Sequence, residues 1–221
     1  MPFVTILSYV CKRPSVCYRI SFIRTYMIRL LCFLSLFTSS HFKTAKVDTA
    51  TFATGCFWCT EAKFQQLKGV KKVVSGFTGG HVANPNYEQV CTGETGHAEA
   101  CNIIYDPKVI SYDELLEAFF VAHDPTQLNR QGNDIGTQYR SAIFYHNTNQ
   151  KQKAEYYIAK LNAAKAYKGK IVTQVAPYTV FYKAEGYHQN YYNLHGNEPY
   201  CKYVIQPELA KFKAVFKDKL K

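Results

Sequence analysis

Along the chain from residue 49, apolar positions follow two periods. Residues 49–54 (TATFAT) are short, threonine-rich and apolar, which predicts a strand. Phe57, Phe64 and Leu67 then recur at helical spacing and predict a helix over 57–67. Strands are predicted over 72–78 and 97–105. A helix is predicted over 111–122, with Ser111 and Glu114 as a capping box and Leu115, Leu116, Phe119 and Phe120 as its apolar stripe. A strand over 139–145, a helix over 149–167, a strand over 171–183 interrupted at Pro177, and a terminal amphipathic helix over 207–220 complete the pattern. Two long stretches, 81–96 and 124–138, have no period; loops of that length inside a domain are usually functional or disordered. Crossover helices mixed with hairpin-like strands imply an α+β two-layer sandwich with a mixed sheet and flanking helices.

Composition divides the chain in two. Residues 1–46 carry seven Lys/Arg and no acid, so the formal charge of +11 overstates the body, where 20 basic residues face 16 acidic ones. The body, 47–221, suits one domain. Residues 1–46 read as a leader. The run 30–37 (LLCFLSLF) after Arg29 has the order of a secretory signal, and 1–26 also fits a mitochondrial presequence or an unused upstream start. A disordered tail on a cytoplasmic enzyme, the default location, is the third reading. The apolar run falls far short of the roughly 20 residues that span a bilayer, so stable membrane insertion is not expected. No stripe of basic and aromatic residues argues for nucleic acid.

The chemistry-bearing stretch is Gly55-Cys56-Phe57-Trp58-Cys59-Thr60-Glu61. Strand, glycine turn and helix start coincide there, which puts the Cys56 sulfur at a helix N-terminus. Unpaired N–H groups and the helix dipole favour an anion at that point, and a thiol so placed can titrate at roughly 3.5–7.5 instead of about 8.5. Cys56 is therefore a candidate nucleophile. Cys59 is either a redox partner in a CxxC or a small core residue on the first turn. Phe57 and Trp58 are either core or an apolar wall for a small substrate group. Glu99 is either a solvent-facing strand residue or a poorly solvated carboxyl that stays protonated and acts as a general acid. Tyr87, Asp134 and Tyr139 lie in or beside glycine-containing loops, where binding residues concentrate. The five body cysteines are too irregular for a disulfide scaffold, no second close pair suggests zinc, and Cys91 and Cys101 read as buried inert thiols.

Several ordered motifs go further: 55–58 (GCFW), 76–80 (GFTGG), 84–87 (NPNY), 95–99 (TGHAE), 123–125 (HDP), 131–141 (QGNDIGTQYRS) and 187–189 (YHQ). Over roughly 51–201 the chain resembles the A-type peptide methionine sulfoxide reductases. The resemblance implies a ferredoxin-like core, a site open at the surface, no cofactor or metal, and reduction of the S epimer of methionine sulfoxide, free or in proteins, in repair after oxidative damage. It implies Cys56 as nucleophile, Glu99 as proton donor, Tyr87, Asp134 and Tyr139 as groups binding the sulfoxide oxygen, and Phe57 and Trp58 as the S-methyl pocket. It also implies a Cys56 sulfenic acid resolved to an intramolecular disulfide, thioredoxin as reductant, and a monomer.

The chain departs from the family where a glycine-rich tail with cysteines is common, having Asn197-Glu198-Pro199-Tyr200-Cys201 and then a helix. Cys201, after a loop of His195, Gly196 and Asn197, is the preferred resolving thiol, with Cys59 as competitor. Two other classes stand beside this reading. A thioredoxin-like oxidoreductase would lack its usual Trp before the first cysteine and Gly-Pro between the pair, and a peptide-binding module would use the aromatic loops without chemistry.

Overall fold

β1 (Asp48–Thr54) is the strand on which the molecule is assembled, and the computed structural model describes it and all that follows, residues 47–221. The leader expected over 1–46 lies outside the described residues. β1 is succeeded by α1 (Phe57–Phe64), β2 (Val70–Thr78), α2 (Tyr87–Cys91), β3 (Ala98–Tyr105), α3 (Tyr112–Ala122), β4 (Arg130–Gln131) and β5 (Asp134–Ile135). Then come β6 (Ser141–Tyr145), α4 (Thr148–Ala163), β7 (Gln174–Pro177), β8 (Phe181–Lys183), α5 (Tyr191–His195) and α6 (Gln206–Val215).

The main sheet runs β7-β6-β1-β3-β2-β8. β3 pairs antiparallel with both β1 and β2, and β1 pairs antiparallel with β6. The order β6-β1-β3-β2, with α1 and α3 as the two crossovers, is the ferredoxin-like α+β arrangement that the sequence implies. β7 adds on parallel to β6, which makes the sheet mixed. Period-two alternation sends Ala50 and Phe52 of β1, and Cys101 and Ile103 of β3, into the helix-covered core. Phe52 is its centre, with ring centroids 5.7 Å from Phe64, 5.1 Å from Phe119 and 6.1 Å from Tyr112. α3 begins as expected, the Ser111 and Glu114 side chains each accepting from the other's backbone N–H.

The strand expected over 171–183 is instead two strands on opposite edges of the sheet. β7 is an edge strand that tolerates Pro177 because the nitrogen there faces away from β6, and the Tyr178 N–H makes a last bond to the Tyr145 carbonyl at 2.9 Å. Three residues separate β7 from β8. Four Cα steps reach about 15 Å, whereas six flat strands spread over about 24 Å. The sheet must therefore curl into a half-barrel. Its inner face is accordingly built of small side chains, Ala53, Ala98, Ala100 and Ala142, around Phe144.

The two aperiodic stretches hold structure that hydrophobic period does not reveal. Residues 81–96 contain α2, started by a reciprocal capping box between Asn86 and Gln89. Residues 124–138 contain the β4–β5 hairpin, which turns at Gly132-Asn133. Tyr139, expected in a strand, ends a 3-10 turn, Thr137–Tyr139, before β6. At the other end, Cys201–Ile205 form a π-helical turn leading into α6. Lys63, buried on α1, holds α6 through Glu208 at 2.6 Å and also donates to the Ala122 carbonyl at 2.6 Å. No helix among the described residues is long and apolar enough to cross a membrane. The chain's two methionines are Met1 and Met27, so 47–221 contain none.

Gly76 tests the curl. A Cβ there would meet the Tyr182 carbonyl and lie 2.5 Å from the Phe181 ring. Gly76→Ala should lower stability by about 1–3 kcal/mol, the usual cost of overpacking. An unchanged urea midpoint would mean that the closure is looser than described.

Candidate active site

Gly55 turns the chain from β1 into α1 with φ +96°, a region L-residues rarely adopt, and an added Cβ would lie 2.6 Å from Gln131 Cβ. Cys56 is the N-cap of α1, as expected. The first N–H of that helix, on Phe57, donates to Glu99 Oε2 at 3.0 Å. This bond joins the helix start to β3 at the centre of the sheet.

The expected low pKa of Cys56 is corrected by its surroundings. Burial pushes the thiol well above its ordinary range, and the neighbouring Cys59 and the Asp134 charge push the same way, against the nearby Tyr200 hydroxyl, which pushes it down. The helix start offers less than sequence suggests, because the Phe57 N–H is already spent on Glu99. Glu99 itself is 1 % exposed, which removes the solvent-facing reading. Burial and then the Cys56 charge hold its carboxyl well above the usual range, with the Phe57 N–H acting in the opposite direction.

The other candidates converge on the same junction. Tyr87, the first residue of α2, stacks on Phe57 (6.2 Å, 23°), and its N–H donates to Glu185 Oε1 at 2.9 Å. Burial, then the Glu99 charge, raises the hydroxyls of both Tyr87 and Tyr139, so both remain donors at neutral pH. Phe57 is buried in the core, with its ring 5.8 Å from Phe77. Trp58 is partly exposed and lies flat on Tyr191 (3.7 Å, 6°). Asp134 reaches the site from β5 and accepts from the Tyr200 hydroxyl at 2.7 Å. A cleft of about 230 Å³ runs over Thr54, Cys56, Cys59, Asp134 and Tyr200. A larger, more open depression of about 540 Å³ among Lys71, Lys72 and Lys183 contains none of these groups.

Of the cysteines, Cys59 lies against Cys56 and 3.9 Å from the Tyr200 hydroxyl. Cys201 is buried in the π-helical turn, not carried on an open loop. Cys101 is buried as expected, but Cys91 is exposed, because the short α2 turns it outward from the loop. Four contributors are not evident in the sequence pattern. Tyr200 was visible only as a neighbour of Cys201, and Tyr191 as one of many tyrosines. His188, inside the motif at 187–189, packs against Phe57 (5.1 Å) and Tyr87 (4.3 Å). Glu61 is buried and accepts from the Asn190 N–H at 2.8 Å, holding the start of α5 and so Tyr191. Among the described residues, no group of His, Cys, Asp and Glu could hold a metal ion.

A model of the family described as peptide methionine sulfoxide reductase matches residues 48–220. The chain belongs to the peptide methionine sulfoxide reductase family. Two proteins named peptide methionine sulfoxide reductase MsrA are similar to it. That of Sulfolobus acidocaldarius is 56 % identical over 173 residues, 78 % of this chain and 97 % of the relative. That of Saccharolobus solfataricus is 53 % identical over 175 residues, 79 % of this chain and 98 % of the relative. The crystal structure of Mxr1 from Saccharomyces cerevisiae in reduced form superposes with a TM-score of 0.67 at 33 % identity, over 74 % of this chain and 94 % of Mxr1. Membership in the methionine sulfoxide reductase family makes the chain an oxidoreductase and sets aside the thioredoxin-like and purely binding alternatives.

The burial of Glu99 has a pH signature. A carboxyl whose folded pKa is raised adds no penalty below its unfolded value, about 4.3, and costs stability as pH rises above it. Glu99→Gln keeps an acceptor for the Phe57 N–H and removes that cost. Its stability relative to the parent should therefore increase between pH 4 and pH 8 in paired urea titrations. A difference that stays flat across that window would show that Glu99 is well solvated.

Proposed function

We propose that residues 47–221 form a catalytic domain that reduces methionine (S)-S-oxide, free or in polypeptides, in the repair of oxidised proteins. The observation that carries this reading is the single hydrogen bond that seats Glu99 beneath the helix start bearing Cys56. Sulfoxide reduction by a thiol needs a nucleophile at sulfur and a proton at the departing oxygen, and here one buried junction offers both. The Cys56 charge raises the proton affinity of Glu99, and the working state of this reading has a thiolate at Cys56 and the one proton on Glu99.

In the first step the Cys56 sulfur bonds to the sulfoxide sulfur, and the oxygen takes the proton from Glu99. The oxygen then passes to Cys56, which becomes a sulfenic acid, and methionine leaves. Cys56 loses two electrons and the substrate sulfur gains them. Tyr87 and Tyr139 donate to the oxygen, Asp134 orders the polar side, and Phe57 and Trp58 take the S-methyl group. A sulfenic acid condenses with a nearby thiol. The side-chain contact of Cys59 with Cys56, one helical turn apart on α1, favours Cys56–Cys59 as the first disulfide, with Cys201 receiving it afterwards. Thioredoxin, a dithiol protein, is the proposed final reductant. A monomer is the proposed working form.

Cys56→Ser should abolish turnover, since a hydroxyl without a strong base is a far weaker nucleophile; substantial methionine formation would reject the assignment. Glu99→Gln should slow methionine formation by about 10²–10⁴-fold. A loss under tenfold would give the proton to a tyrosine or to water. From racemic methionine sulfoxide, chiral chromatography should show about half consumed; complete consumption would contradict the stereochemistry.

A further inference from the structure

Tyr200 is not explained by the mechanism so far, yet it stands in the cleft. Its ring is edge-on to Trp58 (5.8 Å, 73°), and its hydroxyl lies between the Asp134 carboxylate and the Cys59 thiol, with Cys56 beside it. A hydroxyl has one proton, and at 2.7 Å that proton belongs to Asp134 Oδ2. In the 3.9 Å contact with Cys59 the phenol oxygen is therefore the acceptor, and the Cys59 S–H donates to it. The three groups form a directed chain from Cys59 through Tyr200 to Asp134.

We propose that Asp134 and Tyr200 are a proton relay that generates the Cys59 thiolate when Cys56 has become a sulfenic acid, a proposal that rests on the resolving role of Cys59 given above. Only the thiolate attacks sulfur, and Cys59 is 5 % exposed, which keeps bulk base away from it. As Cys59 gives its proton to the Tyr200 oxygen, the phenol proton moves to Asp134. The Cys59 sulfur bonds to the Cys56 sulfur and the Cys56 S–O bond breaks. The departing hydroxide recovers the proton from the relay and leaves as water. The two sulfurs together supply the electrons already taken by the sulfoxide, so no further oxidant is required. Burial and the charges of Cys56 and Cys59 hold the phenol far above its ordinary range. Tyr200 thus passes a proton without carrying charge. Burial also raises Asp134, opposed by the Tyr200 hydrogen bond, which makes it a stronger base than a solvated aspartate.

The test uses the reduced full chain, rapidly quenched after one equivalent of methionine sulfoxide. Chromatography gives the rate of methionine formation, and mass spectrometry gives the rate and identity of the disulfide. In Tyr200→Phe, which keeps the ring and removes the hydroxyl, the ratio of disulfide to methionine rate should fall by on the order of 10², the usual worth of a positioned base. The remaining rate should climb roughly tenfold per pH unit between pH 6 and 8, more steeply than in the parent, as hydroxide replaces the relay. Asp134→Asn, which leaves Tyr200 in place, should show the same ratio and pH slope. The double variant should add no further loss in that ratio. If the parent forms Cys56–Cys59 and Tyr200→Phe forms it with unchanged ratio and slope, the relay is wrong while Cys59 still resolves. If the first disulfide is Cys56–Cys201, the resolving assignment and the relay fall together.

Discussion

The bond from the Phe57 N–H to Glu99 is the constraint on which the site depends. It ties the first turn of α1 to the middle strand of the sheet, and so sets where the sulfur stands relative to the carboxyl. It also uses the donor that would otherwise stabilise a thiolate, which is why the thiol and the acid share one burial problem. A buried charge is costly unless paired and hydrogen-bonded. Burial and the neighbouring Cys56 charge answer it by keeping the proton on Glu99, and a protonated carboxyl beside a sulfur is also what a sulfoxide oxygen requires.

The curled sheet supplies the remainder. Closing β8 onto β2 brings the segment after β8 under the site. Glu185 then receives the Tyr87 N–H, and His188 packs among the Phe57, Trp58 and Tyr87 rings. Asn190 takes φ +56° and offers its N–H to the buried Glu61, which starts α5 and lays Tyr191 flat against Trp58. The Trp58–Tyr191 stack is thus held by a carboxylate two residues beyond Cys59, on the helix that Cys56 caps.

What was legible in the sequence was whatever is decided locally. β1, β3 and α3 announce themselves by period and by capping chemistry, and Gly55 marks the turn that places Cys56. Glu99 was legible as a candidate, and only its burial removed the surface reading. The fate of 171–183 was not legible, because the partners of β7 and β8 lie at opposite ends of the sheet and no local pattern encodes which edge a strand joins. The Cys56 pKa was misread for a related reason. The helix-start effect is a property of α1, whereas the desolvation that outweighs it comes from everything packed around it. Tyr200 was hidden among 18 tyrosines, since its meaning lies in a carboxylate 66 positions away.

Oxidation of methionine turns a pliable apolar side chain into a polar one and loosens the cores that contain it. Between 47 and 221 this chain has no methionine, and its core is filled with phenylalanine, leucine, isoleucine and valine instead. An oxidant that creates the substrate therefore finds no thioether in the folded body to damage. The domain cannot become its own substrate there, and its packing is indifferent to the lesion it removes from others.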